Sequence, residues 1–98
     1  MSQPWTIQLT RQAKKDLDSL QSAREKALRA ILTLEQHPLA GHALAGSLRG
    51  VRSLEFSLPG GAYRAAYTIN PEHEVCLVFL IGPHESFYEK AQRRYRAL

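Results

Sequence analysis

The sequence predicts an α+β fold in which an N-terminal strand and an αα-hairpin pack on an antiparallel sheet, in the order β-α-α-β-β-β-α. Three observations carry this. Apolar residues recur at helical spacing between Thr10 and His37. Apolar and polar residues alternate from Val51, broken by turn signals. Helical spacing returns from Ser86 onward. Ninety-eight residues make one domain, 1–98, large enough for a single core and too small for a second.

The first element is a short strand: WTIQLT at 5–10 puts Trp5, Ile7 and Leu9 in one phase. Thr10 can cap a helix through RQAKKDLDSL, with Ala13, Leu17 and Leu20 on one stripe. Ser22 and Glu25 have the S-x-x-E spacing of a capping box, which predicts a second helix opening there. It carries Leu28, Ile31 and Leu32 and ends near His37, because Pro38 disfavours helical geometry in the residue before it. The connection is too short for anything but an antiparallel hairpin of helices.

Residues 38–50 (PLAGHALAGSLRG) have no clean period and read as a loop. After it, Leu54, Phe56 and Leu58 alternate with Glu55 and Ser57, PGG at 59–61 marks a turn, and Tyr63, Ala65, Tyr67 and Ile69 alternate with Arg64, Ala66, Thr68 and Asn70. Asn70-Pro71 starts another turn, and VCLVFLI at 75–81 is apolar throughout, as expected of a central strand covered on both faces or lining a cleft. Short turns make these three strands an antiparallel meander. In the tail Phe87, Ala91, Tyr95 and Leu98 fall near helical spacing.

Hydrophobic residues at 44% and charged residues at 22% are ordinary for a soluble globular chain. Thirteen Lys and Arg against nine Asp and Glu give a net charge of +4, concentrated at the C-terminus, where Lys90, Arg93, Arg94 and Arg96 face Glu89 alone. Such an excess suits a polyanion or an acidic protein, and equally an exposed helix kept soluble by charge. Cys76 is the sole cysteine, so no intrachain disulfide forms, and its apolar run makes it a buried, inert thiol. The N-terminus has no basic-then-apolar signal pattern, and a seven-residue apolar run cannot span a bilayer. A cytoplasmic protein without membrane contact is expected.

Three residues stand out in the sheet region. Glu55, between Leu54 and Phe56, is either a solvated strand residue or a general base. Arg64, one strand over in the corresponding phase, offers a planar fork to a phosphate or a salt bridge to Glu55. His84 follows Gly82-Pro83 at a strand end, where a side chain can leave the core and transfer a proton, or simply form surface. Tyr88, one helical turn on, can contact a phosphate, stack on a base or pack against the sheet. His37, His42, His73 and His84 have no ligand-like spacing and no carboxylate cluster, so neither a metal nor another cofactor is expected. The chain also lacks a phosphate-binding Gly-rich loop and a G-x-S-x-G elbow.

The element order, the opening LTRQAKKDLDSL, the LRG at 48–50, AYRAAYTI at 62–69 and IGPHESFY at 81–88 together resemble the RelE/ParE superfamily of toxins from bacterial type II toxin–antitoxin systems. The resemblance covers nearly the whole chain; its most specific part is the YR-x-x-Y strand and the apolar strand that follows. It implies a RelE-like fold, a cognate antitoxin as partner and, in the RelE branch, metal-independent cleavage of mRNA on the ribosome by 2′-hydroxyl attack on the adjacent phosphate. Arg64 matches the arginine set on the scissile phosphate. Glu55 falls where RelE has lysine and YoeB-like relatives have a glutamate base. His84 falls where RelE has arginine and other nuclease members a histidine acid, and Tyr88 resembles a substrate-orienting tyrosine. Ser57 replaces a second lysine of RelE, which favours an acid–base ribonuclease over a lysine-rich mechanism. Arg49, Arg52, Lys90 and Arg93 are candidate RNA contacts, and Lys14, Lys15, Arg24, Lys26 and Arg29 can meet ribosomal RNA. The alternatives are a ParE-like inhibitor of DNA gyrase with no chemistry of its own, and a non-enzymatic RNA-binding member.

Overall fold

The computed structural model describes residues 3–98. Strand β1 (Thr6–Leu9) ends at Thr10, whose extended backbone lets its hydroxyl accept from the Ala13 N–H at 3.1 Å and cap α1 (Arg11–Asp18). The expected capping box of the second helix does not form. Gln21–Ala23 wind instead as a 3₁₀ turn entered through Gln21 at φ 52°, Ala23 takes the cap position, and α2 (Arg24–Leu32) starts without a side-chain cap. Ser22 lies inside that turn, so the right spacing falls in the wrong backbone geometry.

The stretch read as a loop contains a two-residue strand, β2 (His42–Ala43), and a 3₁₀ turn at Gly46–Leu48. Then come β3 (Val51–Leu58), β4 (Gly61–Asn70), β5 (Val75–Pro83) and α3 (Phe87–Arg96). The sheet order is β1-β5-β4-β3-β2. The meander β3-β4-β5 is antiparallel as expected, while β1 joins the same sheet parallel to β5, with Thr6 opposite Val75. The long connection between them, which carries both helices and then β2, β3 and β4, supplies the crossover that a parallel pair requires.

Two core layers follow. On one face Ala13 and Leu17 of α1, Ala27 and Ile31 of α2, and Leu34 pack on Ala65, Tyr67, Cys76 and Val78. On the other, Phe87 and Ala91 of α3 and Leu48 pack on Val51, Ala66, Phe79 and Leu80. Leu98, read on the apolar stripe of the last helix, lies beyond α3 and is exposed. The Tyr67 hydroxyl donates to the Pro38 carbonyl at 2.8 Å and accepts from the Gly41 N–H at 2.9 Å, which fastens the 38–41 segment to the sheet.

One irregularity positions everything after it. Tyr67 pairs with Val78 and Ala66 with Leu80, so Phe79 is an extra residue, a β-bulge. Cys76 and Val78 face the hairpin layer, Phe79 and Leu80 both face the α3 layer, and Ile81 faces the hairpin layer again. Among the described residues, no helix is long and apolar enough to cross a membrane.

Candidate functional site

Glu55, Arg64 and Gly82 form one row across β3, β4 and β5. Leu54 and Phe56 pack into the hairpin layer, so strand alternation turns Glu55 to the α3 face, and Arg64 shares its phase. The Arg64 guanidinium donates to Glu55 Oε2 from Nε at 3.4 Å and from Nη2 at 3.3 Å. Its Cζ sits 5.3 Å from the centre of the Tyr88 ring, within cation–π range. Buried Phe87 meets that ring edge-on, with centroids 5.9 Å apart at 86°, and so orients it. Arg64 is thereby held between a carboxylate and an aromatic face with 22% of its side chain exposed, whereas Glu55 is 56% exposed. Leu54 and Phe56 point the other way, as strand alternation requires, and Glu55 is solvated rather than lodged among apolar groups.

His84 lies one step past β5. Its N–H donates to the Ala62 carbonyl at 3.3 Å, which extends the ladder beyond Tyr63 and Pro83. That pairing gives His84 the phase of Gly82 and of Arg64, two residues along the face. Its imidazole is exposed and makes no hydrogen bond to Glu55 or Arg64 among the described residues. The structure thus brings Glu55, Arg64 and Tyr88 into contact and sets His84 on the same face beside them. A part-shielded cation beside an exposed carboxylate and ring makes an open face, unlike the concave pockets in which small molecules bind.

A family model described as the ParE-like toxin of type II bacterial toxin–antitoxin systems matches residues 7–92. The chain belongs to this family. No curated protein sequence matches the toxin. Its fold is shared by a chain of the RelBE2 toxin–antitoxin complex from Mycobacterium tuberculosis, with 26% identity over 83% of this chain and 99% of that one, at TM-score 0.71. A mutant of the E. coli toxin RelE in the free state matches at 18% identity over 97% of this chain and 99% of that one, at TM-score 0.71. The archaeal RelE–RelB complex from Pyrococcus horikoshii matches at 20% over 84% and 97%, at TM-score 0.60. The toxin is therefore a RelE/ParE superfamily member with the RelE fold.

The four candidate RNA contacts do not lie together. Arg49 is exposed beside α3, and its carbonyl accepts from the Tyr95 hydroxyl at 3.3 Å. Arg52 requires a correction. Its phase in β3 is that of Leu54, so it faces the hairpin side, where Nε donates to the Gly41 carbonyl and Nη2 to the Leu39 carbonyl, both at 3.1 Å. It braces the 38–41 segment on the side of the sheet opposite Glu55. Lys90 and Arg93 line a cleft of about 380 Å³ between α3 and the edge of β5, with Arg94 and Asp16 beside them. Helical spacing puts Lys90 nearly opposite Tyr88 around α3, so this cleft and the Arg64 face lie on different flanks of the helix.

Asp16 and Arg94 were not singled out by the sequence reading. Arg94 forms a two-pronged ion pair with Asp16, Nη1 to Oδ2 and Nη2 to Oδ1, the latter at 3.0 Å, and Nη1 also donates to the Phe79 carbonyl at 3.1 Å. Asp16 Oδ2 accepts from the Ile81 N–H at 3.0 Å. The pair joins residues far apart in the chain, and no local spacing announces it. Among the described residues, no three His, Cys, Asp or Glu side chains gather as a metal site would need.

Proposed function

We propose that the toxin is a metal-independent mRNA endoribonuclease that acts on the ribosome, inhibits translation and is held inactive by a cognate antitoxin. The observation that supports this best is the contact of Glu55, Arg64 and Tyr88 on a face that also carries His84. In this reading Glu55 takes the proton from a ribose 2′-hydroxyl, and the 2′-oxygen bonds to the adjacent phosphorus. The bond from phosphorus to the 5′-oxygen breaks, and His84 gives that oxygen its proton. Arg64 stabilises the extra negative charge on the phosphorane, which is commonly the largest catalytic contribution. Tyr88 fixes the guanidinium from below and offers a stacking surface. Glu55 must exchange Arg64 for the hydroxyl proton when substrate arrives. Bond lengths of 3.3 and 3.4 Å and a half-exposed carboxylate make that exchange easy.

The antitoxin rests on the family and on solved relatives that are described as toxin–antitoxin complexes. A second reading, gyrase inhibition without chemistry, draws on the ParE-like description of the family model. Primer extension on a translated mRNA, run beside a DNA supercoiling assay, separates them. Codon-phased cuts with unaffected supercoiling support the nuclease; intact mRNA with blocked supercoiling refutes it.

A further inference from the structure

The sequence from Val75 to Ile81 is apolar at every position, so its hydrophobic pattern does not choose which residues face which layer. A one-residue slip flips every later side chain to the other face, and such slips are restrained only where pattern or geometry forbids them. The bulge at Phe79 makes that choice here. Without the extra residue, Gly82 and His84 would keep the phase of Cys76 and Val78 and face the helical hairpin, away from Arg64.

The edge of β5 is bare at this point. Thr10 donates to the Val78 carbonyl at 3.0 Å, and β1 ends there. The next two edge-facing groups are the Phe79 C=O and the Ile81 N–H, which Arg94 and Asp16 take. Pro83, next along the same edge, has no N–H to satisfy. One ion pair, contributed by α1 from one layer and α3 from the other, thus does for the bulged segment what a partner strand does elsewhere. Its members are partly shielded, with 17% of the Asp16 and 27% of the Arg94 side chain exposed.

We infer that Asp16 and Arg94 are positioning residues that hold the Phe79 bulge and thereby keep His84 on the Glu55–Arg64 face. The link to cleavage rests on the nuclease reading above; the structural part does not. Asp16→Ala and Arg94→Ala test it, with Arg94→Lys as a milder variant that keeps the charge but not the fork bridging Asp16 and the Phe79 carbonyl. Cross-strand NMR contacts between Leu80 and Ala66, and exchange of the Ile81 amide, report the register without any activity. The expected result is mixed register beyond Val78 and faster Ile81 exchange in the alanine variants, with Arg94→Lys between these and the wild type.

In a cell-free translation reaction with purified toxin and a defined mRNA, the cleavage rate should fall by about 10²-fold, as for loss of a proton donor, with unchanged half-saturating toxin concentration. Combining either variant with His84→Ala should cost nothing further. Unchanged register in folded variants, or losses that multiply with His84→Ala, overturns the inference. If the alanine variants do not fold, an Arg94→Lys protein with wild-type register and rate overturns it as well. If the register slips while the wild type cuts no RNA, the nuclease reading fails and the clamp stands.

Discussion

Arg64 and Glu55 meet at a single oxygen atom: two N–H groups of the guanidinium converge on Oε2, and Oε1 is left outside the pair. A pair this exposed contributes less than about 1 kcal/mol to stability. Substitutions here therefore separate function from folding. Glu55→Gln and His84→Ala should each lower RNA cleavage by roughly 10²–10⁴-fold, and Arg64→Lys by about 10²-fold or more, since an ammonium keeps the charge but not the fork. Cleavage kinetics beside thermal melts check this; full activity in all three folded variants rules out the proposed chemistry.

Lys90 and Arg93 lie around α3 from Tyr88, in the cleft beside β5. If they touch RNA, they touch its backbone away from the reacting phosphate. Lys90→Ala and Arg93→Ala should each reduce the salt dependence of RNA binding by about one ion and leave the saturated cleavage rate unchanged. Binding titrations at several salt concentrations, with single-turnover kinetics, test it.

Tyr67→Phe removes the hydroxyl that ties Gly41 and Pro38 to the sheet and strands the Gly41 N–H. A loss of about 1–3 kcal/mol is expected, a drop of at least several degrees in Tm for a chain of this size. Gly41→Ala should be worse. A Cβ there would sit 2.8 Å from both the Ser53 carbonyl oxygen and the Tyr67 hydroxyl. Thermal melts rank the two.

Burial pushes the Cys76 thiol from 9.0 up to about 11. Burial also raises the Tyr67 phenol above 10.0, partly offset by its bond with Gly41 and by the nearby Arg52. Both groups ionise more readily in the unfolded chain. The Cys76 contribution is complete below pH 9 and is lost as pH climbs through about 11; the Tyr67 contribution is complete below pH 10 and is lost as pH climbs above it. The Cys76 part amounts to about 2 kcal/mol by pH 11. Urea midpoints between pH 8 and pH 11 should fall, and Cys76→Ala should flatten the first part of that decline even though it lowers the starting stability.

The meander was legible because Leu54, Phe56 and Leu58 alternate with Glu55 and Ser57, and Tyr63, Ala65 and Tyr67 alternate with Arg64, Ala66 and Thr68, which also fixed the faces of Glu55 and Arg64. The Thr10 cap was legible because a hydroxyl at a strand end before a helical stripe has few other uses. The Phe79 bulge was hidden, since VCLVFLI offers no polar residue to betray a change of phase. Arg52 misled because its charge suggested solvent or phosphate, while the carbonyls it serves, Leu39 and Gly41, belong to a segment with no readable period. Asp16 and Arg94 each looked like ordinary helix surface, and only tertiary contact reveals their pairing. Tyr88 reads from sequence as a phosphate contact, a base-stacking ring or a packing residue; its place beneath Arg64 depends on the approach angle of α3, which no local pattern encodes.

The parallel seam between Thr6–Leu9 and Val75–Val78 bears on how the protein is made. Synthesis delivers the first strand well before its sheet neighbour, at roughly 5–20 residues per second. Until that neighbour emerges, the helical hairpin can cover only β3 and β4, and Arg64 gains its aromatic ring only when α3 follows. A partly made chain therefore lacks the assembled contact between Arg64 and Tyr88 until α3 has been added.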